Sequence, residues 1–591
     1  MRASKTASGV TLRVVAGTTN VILGMDFEAP ARKGCLGFSI RRVDLGPTSK
    51  PFAENARPSR WLPNMLRFPT DRTQTPPTTL ESPLQKFRWG DYTCEPGHTY
   101  RYQVVPRYGS PGALLPKRLG DADGVTVEVT TENNEAPETA VFFNRGAAAS
   151  RAFEAKFPKI KTEKQLLADT PDAAKAKEWL SRGLEKAVID FIARAKDQQY
   201  VIHAAIYEFQ KDSFLRALAD AAGRKASVEV VFHDRKKDAK DVTSAKNASA
   251  IKQAKLPAGV KLTPRNADPQ GAIMHNKFVV LLKKGAKAPT PLAVWTGSTN
   301  WTDGAIYGQL NVGHAIFDKA TAATYEAYFQ LLKKDLSAEE MKHELGLLTP
   351  VSTVIPLDHG VTPIFSPQHG DTMLHLYSSI CEHAKCVMVC APFALSPIIL
   401  APFSGKPAAR DAVRFFLLDK EGSLGKGEDV KVIENDPHNA IGVAVTLSSP
   451  LHDFQKRLLE GKESFRHAGI HIHSKIILAD PFGSDPTLIT GSANFSRNST
   501  ELNDSNSLIV RGATGVADIY ATEFMRMFEH YHFRAKLAHT LTKVKGAKTK
   551  TKAKAKADVL ALVADDSWSK KYFVRGSSDE TDRRMFAGTL H

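Results

Sequence analysis

Two short segments of this 591-residue chain place a histidine and a lysine two residues apart, and both continue in the same way. The first reads Met274-His275-Asn276-Lys277, then an apolar run over 278–282, a loop, and Trp295-Thr296-Gly297-Ser298-Thr299-Asn300. The second reads Ile472-His473-Ser474-Lys475, an apolar run over 476–479 closed by Asp480, a loop, and Ile489-Thr490-Gly491-Ser492-Ala493-Asn494. Side chains two apart on a strand point the same way, so each histidine projects beside its lysine. That pair suits phosphate: an ammonium holds non-bridging oxygens, while an imidazole attacks phosphorus or moves a proton. A single His-x-Lys is most simply a half-exposed strand. Two copies, each followed by a Gly-Ser-x-Asn turn whose small residues admit a ligand closely, read as a repeated device.

The elements around these segments follow one rhythm. Residues 172–196 carry Trp179, Leu180, Leu184, Val188 and Ile192 at helical spacing, followed by strands at 200–206 and 228–232. After a Pro- and Val-rich connector over 350–367 the order restarts, with a helix at 372–385 and strands at 387–392 and 413–418. Ahead of both halves, 1–135 holds short alternating runs at 10–16, 36–43, 99–105 and 124–130, with turns expected at Gly90-Asp91 and Pro96-Gly97. This predicts an antiparallel β-sandwich; Trp89 and the run Tyr100-Arg101-Tyr102-Gln103-Val104-Val105-Pro106 make it resemble a fibronectin type III domain. The chain divides as sandwich 1–135, α/β halves 136–345 and 346–540, a Lys-rich linker 541–558, and a C-terminal segment 559–591.

The doubled His-x-Lys with its Gly-Ser-x-Asn resembles the phospholipase D superfamily over roughly 136–540. The resemblance implies a two-lobed α/β fold whose halves pair about a pseudo-twofold axis, each giving half of one phosphate site. It implies that Lys277, Lys475, Asn300, Asn494, Ser298 and Ser492 hold the phosphate, that His275 is the nucleophile and His473 the general acid, and that a covalent phosphohistidine forms. It implies no metal and no other cofactor. Two positions depart from the family pattern. Leu282 stands where the motif has Asp, whereas Asp480 is retained and is given a supporting, structural part. The carboxylate that orients the nucleophile is missing from Gly308-Gln309-Leu310-Asn311 and Leu502-Asn503-Asp504-Ser505, leaving amides, a hydroxyl or Asp504 for that work.

Other residues earn less. Cys381, Cys386 and Cys390 fit no tetrahedral metal set and read as buried thiols. His471 lies near His473, and Asp234-Arg235-Lys236-Lys237 reads as a solvated loop. Tyr207, Phe209 and Phe393 follow strands and are placed equally well in a substrate groove or in the core. Trp568, Tyr572 and Phe573 suggest a C-terminal element that docks back onto the body.

Composition sets the outer limits. Lys plus Arg is 80 against 63 acidic residues, a formal charge of +17 that favours an anionic partner. Five cysteines, no apolar run long enough to span a bilayer and no apolar leader point to the cytoplasm, with peripheral membrane contact still open and oligomeric state undetermined. The expected activity is hydrolysis of a phospholipid headgroup ester. A metal-independent nuclease or DNA-end-processing enzyme and an inactive scaffold with the same fold are the alternatives.

Overall fold

The computed structural model describes residues 1–47, 59–64, 66–71, 77–133, 138–146, 151–235, 241–266, 272–404, 411–420, 422–444, 471–543 and 561–590. Strands β1 (Arg2–Ala7), β2 (Val10–Ala16), β3 (Val21–Phe27), β4 (Gly37–Pro47), β5 (Arg60–Trp61), β6 (Arg88–Asp91), β7 (His98–Ser110), β8 (Ala113–Leu115) and β9 (Val125–Thr130) form two antiparallel sheets. Their orders are β1-β2-β3-β6 and β5-β4-β7-β8, with β9 also pairing β7. Gly90-Asp91 is strand, not the expected turn, because β6 pairs with β3 through these residues. The sandwich core holds Val14, Leu23, Phe38, Phe87 and Tyr102, with Trp89 half-buried at its side.

That core is completed from the far end of the chain. Trp568 and Tyr572 belong to it; the Trp568 indole N–H donates to the Cys35 carbonyl at 2.9 Å and its ring stacks on Phe87. The helix Ser578–Ala587 lies so close over β3 that a Cβ on Gly24 would come within 2.2 Å of the Phe586 carbonyl oxygen. Residues 1–135 and the C-terminal segment therefore share one core and are not separate units. The Lys-rich linker lies, from 544 on, outside the described residues.

The two α/β halves are built alike. The first sheet uses β10 (Thr139–Phe143), β11 (Tyr200–Ile206), β12 (Ser227–His233), β13 (Val260–Arg265), β14 (Lys277–Lys283), β15 (Thr290–Gly297) and β16 (Val312–Ile316). The second uses β17 (Gly360–Ser366), β18 (Cys386–Ala391), β19 (Val413–Leu418), β20 (Asn439–Val443), β21 (Ile476–Ala479), β22 (Thr487–Gly491) and β23 (Ser505–Arg511). Their orders, β10-β16-β15-β14-β11-β12-β13 and β17-β23-β22-β21-β18-β19-β20, become identical when each strand is replaced by its counterpart. In both, the three strands at one end are parallel and the remainder antiparallel.

Alternation along the strands decides which face meets which layer. Phe278, Val280 and Leu282 of β14 join Leu478 of β21 and Met388 of β18 in a core common to both lobes, into which Tyr520, Phe524 and Phe528 of the helix Thr514–Lys543 also pack. Val279 and Leu281 face the outer helices of lobe 1, and Ile477 and Ala479 those of lobe 2. Helix Ala338–Leu348 crosses the expected boundary at 345/346 and buries Met341 and Leu345 in the common core. The helix expected over 172–196 is two helices, Pro171–Ser181 and Leu184–Ala193, broken where Arg182 and Gly183 take φ of 46° and 86°. The supposed connector 350–367 contains β17, an edge strand, where Pro363 is tolerated for want of a second ladder, and Pro367 follows directly after its end.

Candidate active site

Both histidines sit just before a strand, on turns held from the opposite lobe. His275 N–H donates to the Asp504 carbonyl at 2.7 Å, and Asp504 N–H donates to Ile273 O at 3.0 Å. In mirror fashion, His473 N–H donates to Leu310 O at 3.0 Å and Leu310 N–H to His471 O at 2.8 Å. The lobes thus exchange a short parallel bridge on each side of the pseudo-twofold axis, so each histidine turn is held in part by the opposite lobe. The imidazoles end up with ring centres 6.5 Å apart at 68°. That span admits a phosphorus atom within the roughly 3–3.5 Å of each reacting nitrogen that an aligned transfer needs.

Each lysine bonds back to its own histidine. Lys277 Nζ donates to the His275 carbonyl at 2.6 Å and Lys475 Nζ to the His473 carbonyl at 2.7 Å. Lys277 Nζ also lies 5.0 Å over the Tyr207 ring. Both ammoniums are buried, and burial pulls them down: Lys277 well below its ordinary value, with Lys475 adding to the effect, and Lys475 to about 7. Burial first, then the nearby lysines, holds His275 and His473 well below the usual imidazole range.

The histidines form the floor of a cavity of about 640 Å³ whose walls include Tyr207, Glu208, Asn300, Asp303, Phe393 and Asn494. Asn300 and Asn494 both line it, each with a side-chain oxygen that has no partner among the described residues. Ser298 and Ser492 do not. Ser298 Oγ donates to Asn311 Oδ1 at 2.8 Å and accepts from Val312 N–H, while Ser492 Oγ accepts from Asn506 N–H at 3.0 Å. These hydroxyls hold the turn and are unavailable to a phosphate; the Ser298 carbonyl instead serves His473. The preceding glycines are required: Gly297 and Gly491 have φ of 151° and 140°, and a Cβ would come within 2.3 Å and 2.4 Å of backbone oxygens.

The orienting group of His473 is an amide. Its Nδ1 donates to Asn311 Oδ1 and to the Ser298 carbonyl, each at 3.0 Å. Asp504 does not orient His275 through its carboxylate, which pairs with Arg265. His275 Nδ1 faces the Ser492 carbonyl and makes no hydrogen bond of ordinary geometry. Asp480 lies outside the cavity: its Oδ1 accepts Cys386 N–H at 2.9 Å and its own N–H donates to Cys386 O at 2.7 Å. Leu282 is buried in the common core. Phe209 is core, whereas Tyr207 and Phe393 line the cavity. All five cysteines are free and buried. Lys236 and Lys237 fall outside the described residues.

Glu208 escaped the reading of the sequence. It accepts from the Asn300 amide and draws on Lys277 and Lys475, while burial pushes its carboxyl above the usual range. The available signal was its place directly after an apolar strand, beside Tyr207. The register of β11 and β18 makes Phe393 its counterpart in lobe 2.

A family model described as cardiolipin synthase, PLD-like domain, matches residues 188–333 and 422–528. Among curated proteins, none matches the chain. Similar solved structures include polyphosphate kinase from Porphyromonas gingivalis (9% identity, 80% of this chain and 71% of that one, TM-score 0.38). Others are phosphatidylserine synthase from Haemophilus influenzae (11%, 65% and 94%, 0.38) and the phospholipase D family member Nuc from Salmonella typhimurium (22%, 25% and 86%, 0.20). One histidine motif lies inside each matched segment and both histidines line one cavity: residues 188–333 and 422–528 form a phospholipase D-like domain.

Proposed function

We propose that this protein hydrolyses a phospholipid headgroup ester through a phosphohistidine. The observation that carries the reading is the meeting of His275 and His473 on the lining of one cavity, each with a buried lysine donating to its carbonyl. His275 Nε2 attacks phosphorus and the P–O bond to the leaving alcohol breaks as His473 gives that oxygen its proton. Water then attacks the phosphohistidine, losing a proton to His473 and freeing His275. Burial and the neighbouring cations keep the His275 ring neutral, with a lone pair to use, and the two acceptors at Nδ1 of His473 favour its proton-carrying form relative to His275. The incoming phosphate brings negative charge next to both histidines and adds to what Glu208 supplies to the two lysines.

The lining supports lipid over nucleic acid. Glu163, Glu208 and Asp303 outnumber Lys246 on the cavity wall, so a strand of successive phosphates would find little positive charge there beyond the histidines. A substrate with one phosphate and an apolar body needs no more, and the family description, cardiolipin synthase, names a phospholipid chemistry. The test is to give the purified protein phospholipid vesicles and a single-stranded oligonucleotide side by side. Headgroup release is expected; cleavage of the oligonucleotide with no headgroup release from any vesicle would overturn the lipid assignment.

A further inference from the structure

Behind each histidine the fold places a buried side-chain acceptor that belongs to neither motif. In lobe 1 it is His233, the last residue of β12 and fully buried. Its Nδ1 accepts the Met274 N–H at 3.3 Å and its Nε2 meets Asp241 Oδ2 at 2.7 Å. A backbone N–H can only donate, so Nδ1 bears the lone pair and the ring proton sits on Nε2, facing the carboxylate. In lobe 2 it is Asp419, one residue past β19 and 1% exposed, whose Oδ1 accepts the N–H groups of His471 at 2.6 Å and Ile472 at 2.9 Å. Phe232 pairs with Ile206 as Leu418 pairs with Ala391, so residues 233 and 419 occupy the same place in the two lobes. Met274 and Ile472 immediately precede His275 and His473.

The geometry gives these bonds work to do. β14 begins at Lys277 and β21 at Ile476, so neither histidine is held by the ladder of its own sheet. The opposite lobe holds the histidine's N–H, and only His233 or Asp419 holds the N–H one residue earlier. Without that acceptor a buried donor is left unpaired and the turn is fastened from one side alone. The two anchors differ in how they are themselves secured. His233 is tied to Asp241 and packs 5.1 Å from the Tyr207 ring, itself 5.1 Å from His275. Asp419 Oδ2 has no partner among the described residues.

We propose that His233 and Asp419 are the positioning residues of the two half-sites, each fixing the backbone before its histidine so that the ring meets the phosphate. The proposal rests on the phosphodiesterase reading for its kinetic consequence, and on the hydrogen bonds alone for its structural one. Four variants of the full chain separate the possibilities. His233→Gln keeps a group for Asp241 but none for Met274, and His233→Asn places an amide oxygen at the Nδ1 position. Asp419→Leu removes the acceptor, and Asp419→Asn keeps it.

Backbone hydrogen exchange, read by mass spectrometry over 272–277 and 471–476, and kcat and KM on bis(p-nitrophenyl) phosphate are measured for each. His233→Gln is expected to speed exchange at 272–277 only, and Asp419→Leu at 471–476 only. Each should lower kcat by about a hundredfold with little change in KM, as a misplacement near 1 Å does. The two Asn variants should recover most of the rate and the protection. Unchanged exchange at both turns, Asn variants as impaired as the others, or faster exchange spread over whole lobes would overturn the proposal. If Asp419→Leu does not fold, the Asn and Gln variants at 233 still carry opposite expectations. If the unaltered protein turns over no diester at all, the phosphodiesterase reading falls and the exchange pattern decides the positioning claim by itself.

Discussion

The two lobes share a strand order and a motif but hold their histidines differently. Ser298 N–H bonds the Val312 carbonyl as Ser492 N–H bonds the Asn506 carbonyl, so Asn311 in one lobe corresponds to Ser505 in the other. Asn311 reaches His473 Nδ1; Ser505 Oγ is buried with no partner among the described residues, as is His275 Nδ1. One side-chain length on the opposite lobe thus separates an imidazole held at Nδ1 by a side chain from one whose Nδ1 faces only the Ser492 carbonyl. The cavity wall differs as well, with Glu208 on one side and Phe393 in the equivalent place on the other. At the motif's last position the roles are structural. β14 continues through Leu282, which pairs with Val201 and fills the common core. β21 stops at Ala479, and Asp480, at a φ of 47°, lets its carboxylate take the Cys386 N–H. Asp480 thus ends a strand and Leu282 fills a core, and neither lines the histidine cavity.

The comparison breaks most sharply at the histidines. His275→Ala and His473→Ala should each lower turnover by about 10⁴-fold or more. They should part on a substrate with a good leaving group: His473→Ala still forms phosphoenzyme and His275→Ala does not, which trapping with labelled substrate would show. Adduct mapping to His473 would reverse the two roles.

Next come the motif ends. Leu282→Asp puts an unpaired charge into the common core and should cost about 3 kcal/mol or more. Asp480→Leu forfeits one buried hydrogen bond and should cost about 1–3 kcal/mol. Urea unfolding of both proteins measures the difference, and equal losses would remove the structural account of Asp480.

The difference between the two histidines is sharpened by a paired substitution. Asn311→Ala should lower kcat by about ten- to a hundredfold, whereas Ser505→Ala should stay within about threefold, because its hydroxyl holds nothing. A finding that both variants are equally slow would mean that Ser505 does orient His275.

A smaller effect is read with pH. A bound oxyanion favours charged Lys475, whose burial pulls it to about 7, so binding takes up a proton above that pH. Phosphate affinity should fall as pH rises from about 7, by up to about tenfold per unit for one linked proton. Glu208→Gln removes a carboxylate that supports the charge on both lysines, and calorimetric titration should find the decline shifted to lower pH. Smallest of all is the expected effect of excess chelator, none, since the lysines supply the positive charge. Activity abolished by chelation and restored by one divalent ion would place the chemistry in another site.

Much of this protein was legible in its sequence because the relevant signals are local. Alternating and continuous apolar runs marked β2, β11 and β19 residue for residue, and the doubled His-x-Lys with its Gly-Ser-x-Asn marked both half-sites. The spacing of His275 from Lys277 sets where the two side chains go on one backbone, whatever the remainder of the chain does. Tertiary structure alone decided what touches them. Asn311 meets His473 across 162 residues of sequence, Asp504 meets His275 from the other lobe, and Trp568 completes a core begun at residue 10. Glu208 and Ser298 show the same limit in opposite directions, one brought to the cavity with no motif to announce it, the other turned from phosphate to scaffold. The physical reason is that strand patterns specify which face is apolar, whereas partners across the lobes depend on how two sheets and the helices between them pack, and that packing is a property of all the buried faces together.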